Sequence, residues 1–458
     1  MKNVWNKYTE EDLVKVTDLG DRYKSFLSQC KTERECTSFF SRKAVEKGYV
    51  NIGQLIDTGY ELKPGDKIYA SHMGKTVAFF HVGKKPLTEG MNILCAHIDS
   101  PRMDLKQVPF YEDSDLVYMD TRYYGAIKKY QWLAIPLALH GVVAKKNGDV
   151  ILVNIGENEQ DPVVYISDLL VHLSDKQMEK RAEDIIDGEK LDILVGSIPL
   201  AGQDKDAVKA NILKIIKEKY DVEEEDFLSA EIEVVPAGKA RDCGLDRSMI
   251  TGYGHDDRVC AYPSFEAMFE MDEIPEKTVC CYLVDKEEIG SVGATGFQSK
   301  FYENAVAELL ALGGLDSSLA LRRTLSRSRM LSSDVGAAFD PAFPDSFEKK
   351  NSCFLGGGVM ITKYTGSNGK KLSNDANAEY LARVRRIFDD NDVHFQTAEL
   401  GAVEAGGGGT IAYFAALFGM EVVDSGVPVL SMHAPWEVIS KADLYEAKKG
   451  YVAFLKNA

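Results

Sequence analysis

Residues 91–102 read MNILCAHIDSPR. A strand-like apolar run ends at His97, and the turn-prone Asp-Ser-Pro follows directly. Four further stretches repeat the arrangement: YGHDDRVC at 253–260, CYLVDKEEIG at 281–290, RMLSSDVGAAFDP at 329–341 and VPVLSMHAPWE at 427–437. Each brings a histidine or a carboxylate to the point where a strand gives way to a loop. In open α/β sheets the ligand site lies outside the carboxyl ends of the strands, so this recurrence predicts an α/β fold with one site gathered at those ends.

The five stretches offer His97, Asp256, Glu288, Asp334 and His433 as metal ligands. Two imidazoles and three carboxylates suit a pair of zinc-like divalent ions; zinc is the expected occupant, and cobalt and manganese use the same N/O donors. The predicted chemistry is that of a two-metal hydrolase. In His97-Ile98-Asp99 the outer side chains fall on one side of an extended segment, so Asp99 is placed to accept the proton of the imidazole nitrogen turned away from the metal. Within Gly254-His255-Asp256-Asp257-Arg258, one carboxylate between two cations is the natural bridge, and Asp256 is assigned to it. Asp257 and Arg258 read as supporting salt bridges, His255 as a supporting or surface residue. The adjacent Glu287 and Glu288 allow a division of labour, Glu288 holding metal and Glu287 acting as general base. The apolar CCYLV before them and the Gly290–Gly293 segment after them place the pair in a strand-to-loop turn.

A chain of 458 residues exceeds the ~250 to 300 at which single cores stop growing, so more than one domain is expected. The long gap between His97 and Asp256, two residues that must meet in space, implies an insertion. It is placed at 100–228 and carries the strand-like HGVVA, DVILVN and PVVYISD, followed by a charged helical stretch from Ser174. The catalytic domain is then split into 1–99 and 229–458. Its first 60 residues have helical spacing, and KIYASHMGKTVAFFHVG alternates as a hairpin.

The formal net charge is -17, from 71 acidic and 54 basic residues. That balance repels phosphate backbones and anionic bilayers and argues against nucleic-acid or membrane partners. Eight cysteines without a CxxC pair, several inside apolar runs, fit free thiols in a reducing compartment. The N-terminal residues mix acids and bases without an apolar core, and WLAIPLALHGVVA is shorter than the ~20 residues that span a bilayer. A cytoplasmic protein is expected.

The ordered set HIDSPR, GHDDRVCAY, DKEEIGSVGATG, SSDVGAAFDP and SMHAPWE resembles the M18 metalloaminopeptidases, over nearly the whole chain. The resemblance implies a mixed-sheet zinc-peptidase catalytic domain with an inserted β-rich dimerisation domain. It implies His97, Asp256 and Asp334 around one metal and Asp256, Glu288 and His433 around the other, with Glu287 as base and Asp99 supporting His97. It further implies short peptide substrates and a homo-oligomer in which dimers build a dodecamer. His172, in DLLVHLSDK, matches a histidine that in the family reaches a neighbouring subunit's active site, and Lys363, in GVMITKY, matches a lysine near the substrate. VEAGGGGTIAYF, with Gly406 to Gly409, resembles the aminopeptidase I branch more than the aspartyl aminopeptidases, which implies neutral or hydrophobic N-termini. The alternatives are an aspartyl aminopeptidase, a related two-metal amidohydrolase such as a deacylase, and a non-catalytic scaffold.

Overall fold

The structure, a computed structural model, describes residues 3–367, 369, 371–404 and 407–458. Its contacts divide the chain into two compact units. The first comprises Met1–Asp99, Ala240–Met432 and Glu437–Ala458; the second comprises Ser100–Lys239 with His433–Trp436.

The first unit is built on a mixed nine-stranded sheet. Four strands at its centre run parallel, in the order Val279–Val284, Asn92–His97, Arg329–Ser332 and Glu421–Gly426. The hairpin of Lys67–His72 and Thr76–His81 continues the sheet antiparallel on one side, and Val359–Thr362 does so on the other. Every residue of Asn92–His97 and Val279–Val284 is buried, which is why these segments read as unbroken apolar runs rather than alternating ones. Their alternate side chains feed two cores. Leu94, Ala96, Cys281 and Leu283 pack with Tyr23, Phe40, Phe265 and Tyr451 from the helices of one face. Ile93, Cys95, Cys280 and Tyr282 pack with Phe297, Tyr302 and Leu309 on the other. The N-terminal helices Glu10–Gln29 and Glu33–Glu46 start at Thr9 and Thr32, each in a capping box with an acid three residues on.

The second unit is a seven-stranded antiparallel sheet that bends back on itself, because Ala230–Pro236 pairs with both Arg102–Asp113 and Pro136–Ala144. That double pairing moves the end of the insertion from the expected 228 to 239. The acidic segment taken as the boundary is instead the short helical turn Glu224–Ser229 leading into the last strand. From Ser174 the chain makes short helical turns before the helix Ala207–Tyr220. Among the described residues no helix is long and apolar enough to cross a membrane.

Candidate metal centre

Strand Asn92–His97 delivers His97 to its carboxyl end with the ring 1% exposed. Nδ1 of that ring lies 3.2 Å from Oδ1 of Asp99 and 3.0 Å from its carbonyl oxygen. Nε2 faces a crowd of carboxylates: Oδ1 of Asp256 at 3.2 Å, Oε2 of Glu287 at 3.9 Å and Oδ1 of Asp334 at 4.0 Å. Asp99 does more than touch the ring. Its carboxylate accepts the backbone N–H groups of Glu287 at 3.1 Å and Glu288 at 3.2 Å, joining the ends of two adjacent parallel strands. Asp334 enters from the loop after Arg329–Ser332, the neighbouring strand on the other side.

Asp256 arrives differently from the expected strand end. It lies in the kinked first turn of the helix His255–Phe269, where Asp256 and Asp257 depart from helical geometry and their peptide is cis. Gly254 opens this turn at φ +73°, and a Cβ there would overlap the guanidinium of Arg258. Arg258 is fully buried, donates to the carbonyls of Gly254 and Cys30, and lies 5.0 Å from the Tyr253 ring. Through these two carbonyls Arg258 clamps the backbone of the turn. The N–H of Asp256 donates to Oε2 of buried Glu437 at 3.1 Å. His255 is buried, not at the surface, between the Tyr23 hydroxyl at 2.8 Å and the Ile250 carbonyl at 3.2 Å, and burial pushes its imidazole down to about 3.

Asp257, read from sequence as support, joins His97 and Asp334 in a group whose donor atoms all lie within 4.8 Å. His97, Glu287 and Glu288 form a second such group. Both carboxylate oxygens of Asp257 are buried and, among the described residues, their nearest side-chain donor is the Cys260 thiol, too poorly placed for a full hydrogen bond. Burial opposes charging of the His97 imidazole, but hydrogen bonds to Asp256 and Asp99 outweigh it and hold the ring well above its ordinary value. Burial and then the Glu287 carboxylate push Asp334 up; burial and then Asp334 push Asp257 up. A divalent ion held by these groups would favour ionised carboxylates and a neutral imidazole. The donor set and the burial suit such an ion.

His433, at φ +64°, belongs to the four-residue segment grouped with the second unit, where its Nδ1 donates to the Ala126 carbonyl at 2.8 Å, leaving Nε2 as the acceptor tautomer. His172 sits in the exposed turn Val171–Leu173 of that unit. Lys363 directly follows the strand Val359–Thr362, with Nζ 4.7 Å from the centroid of the Tyr364 ring. Gly407 and Gly408 pair with Gly366 and Ser367, while Gly406 lies outside the described residues. The sequence does not single out Glu437, four residues after His433, and assigns Asp257 only a supporting role. An acid adjacent to each assigned ligand segment is the only signal the sequence carries for them.

Imidazole and carboxylate donors gathered at the carboxyl ends of parallel strands define an α/β protein of the metallohydrolase class. Residues 26–455 match the family described as aminopeptidase I zinc metalloprotease (M18). A probable M18 family aminopeptidase 1 of Clostridium acetobutylicum is 58% identical over 457 residues, covering 100% of this chain and 98% of that protein. The crystal structure of an M18 aminopeptidase from Thermotoga maritima superposes with a TM-score of 0.95 at 42% identity, covering 100% of this chain and 99% of that one. The S. cerevisiae mApe1 dodecamer shares the fold at 20% identity, with a TM-score of 0.76 and 96% of each chain covered. The chain belongs to the M18 family of zinc metalloaminopeptidases.

Proposed function

We propose that this aminopeptidase uses a two-metal site to release neutral or hydrophobic N-terminal residues from short peptides, with Glu287 as general base. The carrying observation is the position of Glu287: its carboxylate is 3.9 Å from the His97 ring, and its backbone is held by Asp99 on the neighbouring strand end. His97, Asp256 and Asp334 would hold one ion and Asp256, Glu288 and His433 the other. The approach of Asp257 to His97 and Asp334 favours it as an additional neighbour of the first ion. Zinc is the expected metal, as the family description supports. When bound, the ions would polarise the scissile carbonyl and make water acidic enough to ionise near neutral pH.

The residues divide the remaining work. Glu287 takes the proton of the attacking water and returns it to the departing amine, which requires a carboxylate near but not committed to the cations. Asp99 orients the His97 ring through Nδ1 and fixes the backbone of the Glu287-Glu288 pair, so that one acid positions both the first ligand and the base. Lys363 and His172 are assigned to substrate binding, His172 from a neighbouring subunit. The yeast relative described as a dodecamer supports a homo-oligomer; that its dimers form through the second unit rests on the family resemblance alone. The preference for neutral over acidic N-termini rests on the resemblance of VEAGGGGTIAYF to the aminopeptidase I branch.

Glu287→Gln is expected to lower kcat by about 10²-fold or more with two metals per chain retained, since it removes the proton acceptor but leaves the donors. Turnover on Leu-, Met-, Asp-, Glu- and N-acetyl-Leu-peptides, paired with elemental analysis, checks both parts. Near-normal turnover of the variant removes the base assignment, faster release of Asp or Glu than of Leu removes the specificity, and hydrolysis of the acetylated peptide points to a deacylase.

A further inference from the structure

The strand Val279–Val284 ends one residue before Asp285, a carboxylate that is only 1% exposed. Its Oδ2 accepts hydrogen bonds from the hydroxyl of Thr295 and from Nζ of Lys286 at 2.9 Å. Thr295 is itself buried, and the backbone of Asp285 bridges that of Gly296. Asp285 and Thr295 therefore close the base of a loop. At its apex the chain turns through Lys286 at φ +70°, whose carbonyl accepts the N–H of Ser291 at 2.6 Å, and through the short helical turn Glu287–Ile289. Asp99 grips the same loop by the two N–H groups of Glu287 and Glu288. The general base is thus carried on a turn tied at its base by Asp285 and Thr295 and at its apex by Asp99.

We propose that the Asp285–Thr295 tie is a positioning element for the reaction, holding the 285–296 loop so that Glu287 meets the attacking water. The inference rests on the reading of Glu287 as general base. Asp285 makes no contact with the reacting atoms; it works through the loop. A carboxylate serves here because one oxygen must accept from two donors, the Thr295 hydroxyl and Nζ of Lys286. A buried hydroxyl on a β-branched side chain with few rotamers makes the tie stiff. Catalytic geometry tolerates little slack, and a displacement near 1 Å costs about 10²-fold in rate.

The test uses the full-length, metal-loaded protein with Thr295→Val, Thr295→Ser and Asp285→Asn. Thr295→Val is expected to lower kcat on a Leu-initiated peptide about tenfold or more with KM within about twofold, to leave metal content per chain unchanged, and to speed amide exchange at residues 287 and 288. Thr295→Ser keeps the hydroxyl and should restore most of kcat. Asp285→Asn, which keeps the shape, should shift kcat in the same direction as Thr295→Val. In a Glu287→Gln background Thr295→Val should add less than about twofold, because both changes act on one group. A Thr295→Val enzyme with kcat near wild type, or one whose lost turnover tracks lost metal, overturns the proposal. If Glu287→Gln alone keeps its turnover, the base assignment falls first; if it abolishes turnover while Thr295→Val and Asp285→Asn do not, only the positioning role falls.

Discussion

His81 shows how a single buried ring sets the acid stability of a whole element. It closes the strand Thr76–His81, is 2% exposed, and its Nδ1 has no hydrogen-bond partner among the described residues. Burial, and secondarily the Lys67 ammonium, pushes the imidazole down from 6.5 to about 4. Between those two values the unfolded chain binds a proton that the folded chain refuses. Stability is therefore complete above about pH 6.5 and is lost as the pH falls towards 4, by at most about 3 kcal/mol for this group. His81→Gln is expected to lose less stability than wild type between pH 7 and pH 5, as read from guanidinium midpoints of EDTA-treated protein in which metal release does not contribute. Equal losses in the two proteins would show that the ring titrates normally. At the same scale, Asp99 was legible as a partner of His97 from the His-x-Asp spacing. Its grip on the Glu287 and Glu288 amides was not, because a sequence does not print which strands become neighbours.

Elements explain both what was legible and what was not. The strands Asn92–His97, Val279–Val284 and Arg329–Ser332 stand out as apolar runs because parallel central strands are buried on both faces, and each run ends beside a candidate site residue. Asp256 follows the strand Met249–Gly252, whose burial alternates, and enters the site from a kinked helix start that no periodicity announces. The boundary at 228 failed because Ala230–Pro236 belongs to the second unit by pairing alone; composition on either side of it does not change sharply. The order of the central strands also carries a prediction. Gly426 ends the strand Glu421–Gly426 so close to the neighbouring strand end that a Cβ would overlap the backbone carbonyl of Asp334. Backbone cannot rotate away as a side chain can, so Gly426→Ala must part the two strands. The expected cost is about 2 kcal/mol or more, with a fall in bound metal because Asp334 moves with its own carbonyl. Denaturation midpoints and metal content of the variant check this, and an unchanged metal content would show that Asp334 is held independently of that contact.

For the whole molecule, charge and apolar exposure pull in opposite directions on self-association. A net charge of -17 on each copy opposes bringing copies together, over a range that salt shortens to about 8 Å at physiological ionic strength. Against it stand apolar side chains exposed on the second unit, among them Leu152 at 77% and Val171 at 74%, with Leu173, Met178 and Ile198. Leu152 lies in Val150–Ile155, a strand that pairs only with Pro136–Ala144 among the described residues and so offers an open edge. An exposed apolar edge of this kind is an invitation to pairing unless something covers it. The proposed assembly must therefore be held by apolar and edge contacts strong enough to overcome like-charge repulsion. Its mass should persist or rise as salt increases from about 20 to 500 mM, the opposite of an assembly held by ion pairs. Twelve chains of 50.7 kDa make about 608 kDa, which sedimentation velocity resolves readily from a dimer. Leu152→Glu combined with Leu173→Glu is expected to shift the distribution to smaller species. A wild-type chain that sediments as a monomer at every salt concentration and at micromolar protein would remove the oligomer, and with it the assignment of His172 to a neighbouring active site.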